Sequence, residues 1–104
     1  MATIIAQAPL AARNTNLLLL EVSGHGGGDF YNPAHILLVE IDADTTFTQR
    51  NRKNVRSAIE VGEFNARSTR GPRSHYASLV ADATREMAKC LQAGQGPARD
   101  RLAA

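Results

Sequence analysis

The chain has 104 residues, a net charge of +2, 43% apolar and 21% charged residues, the size and balance of one folded domain, which excludes wholesale disorder. Its one cysteine, Cys90, forms no internal disulfide and supplies no thiolate zinc cluster, which favours a reducing compartment. The longest apolar run, Leu17 to Leu20, falls far short of the ~18 residues that a membrane-spanning helix needs, and no basic stretch precedes an apolar one at the start, so the expected location is cytoplasmic.

Thr3 to Ala8 is compatible with a short strand ending at Pro9, and Ala11 to Asn16 reads as a turn. Leu17 to Ser23 (LLLLEVS) is apolar at consecutive positions between turn residues, the pattern of a well-buried strand. It runs into VSGHGGGDFYNPAH (Val22 to His35), a loop with four glycines, two histidines, an aspartate and a tyrosine.

His35 to Thr48 alternates, with Leu37, Val39, Ile41, Ala43 and Phe47 on one face and Glu40, Asp42, Asp44, Thr46 and Thr48 on the other. After the polar turn Gln49 to Asn54, Val55 to Phe64 alternates again, with Val55, Ser57, Ile59 and Val61 on one face. Two such runs joined by a short polar loop form a long antiparallel hairpin, here with a basic tip. Ala66 to Arg73 is irregular, and Ser74 reads as the N-cap of a helix running to about Ala93. Tyr76, Leu79, Val80, Ala83, Met87 and Leu91 form its apolar stripe, and Gly94 sits where a C′ residue belongs. Cys90, near that stripe and far in sequence from any histidine, reads as a buried, inert thiol.

The fold expected is α+β: a four-stranded, mainly antiparallel sheet packed by one C-terminal amphipathic helix, with residues 1–94 as a single domain and 95–104 as a flexible tail. Leu17 and Leu19 point opposite to Leu18 and Leu20, and Ile36 and Leu38 opposite to Leu37 and Val39. One helix covers only one such face, so the sheet is expected either to curl into a barrel or to pack against a second subunit.

Charge is segregated along the chain. Between Asn14 and Gln49 there are five acids and no lysine or arginine; between Arg50 and Arg73 seven bases face two acids, Glu60 and Glu63. The basic hairpin tip, with Arg50, Arg52, Lys53 and Arg56, is shaped like a β-ribbon that enters a nucleic-acid groove, and Arg67, Arg70 and Arg73 would add phosphate contacts. No aromatic residue is interleaved with these bases as single-strand binders require, so a solvated turn that protects a sheet edge is the plainer reading.

The glycine loop matches the letters of an HGGG oxyanion element, but the G-x-S-x-G nucleophile elbow that must accompany it is missing. A dinucleotide fingerprint fails because Asp29 or Tyr31 stands where its third glycine would be, and no Gly-Lys-Ser/Thr marks a phosphate loop. His25, Asp29 and His35 are ligand types suited to a metal, with His75 as a possible fourth, although their spacing fits no metal signature. No carboxylate pair or nucleophile–base constellation stands out, and no cofactor is implied. The sequence therefore reads as a non-catalytic interaction domain that self-associates or binds a protein partner. Nucleic-acid binding through the 50–56 tip is the alternative, and metal binding through the 24–35 loop the second alternative.

Overall fold

The computed structural model describes residues 2–23, 33–45, 54–65 and 72–97. Four strands, β1 (Ala2–Leu10), β2 (Thr15–Ser23), β3 (Pro33–Asp42) and β4 (Val55–Asn65), form one open sheet in the order β1-β2-β3-β4. Every neighbouring pair is antiparallel, and one helix, α1 (Pro72–Ala93), packs against the sheet. This is the α+β layout that the alternating runs and the helical stripe call for. The sheet does not close into a barrel, because β1 and β4 stand at opposite margins.

The two apolar parities of β2 and β3 become two core clusters. On one face Leu17, Leu19, Ile36, Leu38 and Ile59 meet Leu79, Ala83, Met87 and Cys90 of α1, with Leu10 at the margin. Cys90 is buried, as expected of a thiol near the stripe, but Leu91, which the expected stripe includes, is 40% exposed. At about 100° per residue, position 90 lies nearer the line through 79, 83 and 87 than position 91 does. On the other face Leu18, Leu20, Val39 and Ile41 are 4, 0, 1 and 0% exposed in the single chain. A second subunit is therefore not needed to cover them.

Two register shifts reset the pattern of β4. Glu40 lies opposite Ser57 and Ile41 opposite Val55, so Arg56 is an extra residue; a second shift falls between Ile36 and Leu37. Each bulge inverts the alternation. Val55 thus joins Ala58 against the second cluster and does not share the face of Ile59 and Val61, as strict alternation had it. Glu40 also departs from expectation: it is buried on the helix side and is not part of a solvated face.

β3 ends at Asp42, short of the Thr48 end that the alternation suggests; residues 46–48 lie outside the described residues. The Ala43 N–H turns away to the Asn14 carbonyl (3.1 Å), and the Thr45 N–H donates to the Asp42 carbonyl (3.0 Å), which makes a turn. Between β1 and β2 the chain reverses through a 3-10 turn, Ala11–Arg13, closed by Asn14 at φ 56°. Asparagine is among the few residues that occupy that region at low cost.

α1 begins at Pro72, two residues before the expected cap at Ser74. Proline suits a first turn, whose N–H groups have no partner in the helix. The helix closes as anticipated at Gly94, φ 67°, with its N–H on the Leu91 carbonyl (3.3 Å) and that of Gln95 on the Cys90 carbonyl (3.1 Å). That pair of bonds is a Schellman motif, and it turns the chain back towards the sheet. Pro97 is buried there.

Candidate functional site

The most developed polar arrangement lies where Gly96 returns to the sheet. Glu40 stands between Leu17 and Ser57 across the strands and is 1% exposed. Arg13, from the 3-10 turn, grips it with two bonds, Nε to Oε2 at 2.7 Å and an Nη to Oε1 at 3.1 Å, and Thr15 Oγ1 donates to Oε2 at 2.6 Å. Burial alone would raise the Glu40 pKa. The bonds from Arg13 and Thr15 and the charges of Arg13 and Arg56 outweigh it, so the carboxyl is held below its ordinary value. A side chain at position 96 would strike the Glu40 carboxylate and come within 2.8 Å of Ser57 Oγ. The Ser57 hydroxyl is buried and has no hydrogen-bond partner among the described residues. Among the described residues no imidazole or amine joins this cluster, and its bonds tie the 3-10 turn to two strands.

At the opposite end of β4 a second group surrounds Glu63. His35, on the face away from the helix, places Nδ1 2.6 Å from Glu60 Oε1 and 3.9 Å from Glu63 Oε2. The closer approach is a short polar contact without hydrogen-bond alignment. On the helix side His75 Nε2 donates to the Glu63 carbonyl at 3.2 Å. Phe64 and Tyr76 meet edge-to-face with ring centroids 4.9 Å apart. Burial first, then the charge of Glu21 and a hydrogen bond to it, raise the Tyr76 hydroxyl above its ordinary pKa.

The sequence candidates are only partly brought together. Of the metal candidates, His25 and Asp29 lie outside the described residues, and His35 is placed against Glu60 and Glu63. Among the described residues no three of His, Cys, Asp and Glu are arranged to hold a metal ion. Of the basic candidates, Arg50, Arg52, Lys53, Arg67 and Arg70 lie outside the described residues. Arg56 pairs with Asp42 at 2.6 Å in an exposed salt bridge. Arg73 lies in the first turn of α1, beyond the far end of the 11-residue β4, so it and Arg56 belong to opposite ends of the sheet. A groove of about 390 Å³ between β4 and α1 has Ile59 and Val61 in its lining and carries paired wall charges, Arg85 with Asp82 and Lys89 with Glu86.

β1 is an outer strand of nine residues, ATIIAQAPL, without a single charge. Among the described residues no strand pairs with its outer side. β4, the other margin, carries Arg56, Glu60 and Glu63 and is flanked by α1. Sheet margins are ordinarily blunted by charges, as β4 is; β1 is not. Ile4 is 48% exposed on it, and Ile5, Ala6 and Ala8 are only partly buried at the edge of the core under α1.

Neither the Glu40 lock nor the open edge was legible as a site. Glu40 meets Arg13 and Thr15 across 27 and 25 residues of chain, which no local spacing encodes. The lack of charge in β1 is visible in the sequence, but it acquires meaning only once β1 is known to be outermost. Comparison of the chain with protein-family models, curated proteins and solved structures finds no match.

Proposed function

We propose that this chain is a small non-catalytic interaction domain that works by self-association. The observation that carries the reading is the uncharged outer strand β1, which leaves a row of backbone donors and acceptors unpaired by any described strand. Such an edge is a template for a further strand. The described polar groups support the same reading: Glu40, Arg13 and Thr15 satisfy one another, and His35, Arg56, Arg85 and Lys89 each stand against a carboxylate. Sedimentation equilibrium from low micromolar to submillimolar concentration tests it. A mass that rises towards twice 11.2 kDa supports self-association, and a monomer throughout overturns it.

A further inference from the structure

Resting on that reading, we infer that the second copy adds its own β1 antiparallel to the first across a two-fold axis, which joins two four-stranded sheets into one of eight strands. Three observations on the edge select this arrangement.

Charge comes first. Pairing β4 with β4 would place the charged Arg56, Glu60 and Glu63 of both copies along the seam, beside the helix that flanks that strand, whereas a β1–β1 seam contains no charged side chain to desolvate. Closure comes second. Pairing β1 of one copy with β4 of the next would leave a free edge at each step, in an open filament or until a larger ring closed; a two-fold β1–β1 contact closes after two copies. Apolar surface comes third. α1 packs against β4, β3 and β2, which leaves β1 at the margin of its cover with Ile5, Ala6 and Ala8 partly buried. The opposite side of β1 carries the exposed Ile4. A neighbouring β1 extends both faces and removes these side chains from water together with the edge amides.

The strand itself sets the extent of the contact. Pro9, which has no N–H, interrupts the donor row near its end, and the register shift between Ile4 and Ala6 increases its local twist. Pairing over Ala2–Ala8 therefore makes a finite, reversible contact and not a fibre seam.

Ile4 and Gln7 are exposed and pair with Leu20 and Leu18, which puts both on the face away from α1. Their replacement adds charge to the edge without opening the core. In Ile4→Lys/Gln7→Lys and Ile4→Glu/Gln7→Glu, like charges meet across the two-fold, and each variant is expected to dimerise at least about tenfold more weakly than the wild type at low salt. An equimolar mixture of the two sets opposite charges together and is expected to recover a dimer of one copy of each, read by sedimentation. Melting temperatures close to that of the wild type show that each variant is folded. If the lysine variant dimerises like a dimeric wild type, or the mixture fails to recover the dimer, the β1–β1 arrangement is overturned while self-association stands. If the wild type itself is monomeric throughout, the underlying reading falls as well.

Discussion

Glu40 is the residue on which most of the local order converges. A buried carboxylate is tolerated because Arg13 and Thr15 supply three bonds to its two oxygens. Glu40→Gln keeps the shape but turns an amide N–H₂ towards the guanidinium, and is expected to lower stability by about 2 kcal/mol in urea unfolding. Because the folded Glu40 pKa lies below its ordinary value of 4.5, its contribution is complete above the unfolded carboxyl's pKa and is lost as pH falls through the lower folded value. Acid titration of stability should therefore be flatter below about pH 4.5 in Glu40→Gln than in the wild type, and an equal slope in both would remove Glu40 from the account. Arg13→Ala should raise the Glu40 pKa, measurable by carboxyl NMR titration, since burial then acts with only the Thr15 bond and the Arg56 charge opposing it. Gly96→Ala pushes a methyl group into the same carboxylate and is expected to cost about 1–3 kcal/mol, provided that Arg13 and Thr15 hold Glu40 in place. A neutral result would mean that the Gln95–Pro97 segment yields instead.

At the scale of elements, α1 is the lid of one sheet face, and its two leucines near either end separate packing from mere hydrophobicity. Leu79 is buried against β4, where it fills the space over Gly62, whereas Leu91 is 40% exposed. Leu79→Ala is expected to cost about 2–4 kcal/mol and Leu91→Ala less than about 0.5 kcal/mol in the same assay. Comparable losses would mean that the helix is rotated from the position described. Legibility in the sequence followed the range of the physics. Period-two alternation in β3 and the helical spacing of Tyr76, Leu79, Ala83 and Met87 are local consequences of backbone geometry; the helix forms where its pattern stands, and the strand over its pattern as far as Asp42. Strict alternation misplaced Val55 because a bulge opposite Glu40–Ile41 is fixed by pairing between strands, which leaves no mark in either strand alone. It misassigned Glu40 for the same kind of reason, since the arginine that makes its burial tolerable lies 27 residues away. The consecutive leucines of β2 did show that both faces are apolar, and the expectation for the second face is a barrel or a second subunit; the sheet is open. Leu18, Leu20, Val39 and Ile41 are already buried in the single chain.

At the scale of the whole molecule, the proposed association uses a sheet edge and not a sheet face. A face-to-face dimer would bury side chains; an edge-to-edge dimer pairs backbone amides, and this difference is measurable residue by residue. Amide hydrogen exchange at low micromolar and at submillimolar concentration reads it directly. Self-association through β1 predicts that outward-facing amides between Ala2 and Ala8 exchange more slowly at the higher concentration, while those of β4, from Val55 to Asn65, keep the same rates. Concentration-independent exchange along β1, or protection gained by β4 instead, would contradict it.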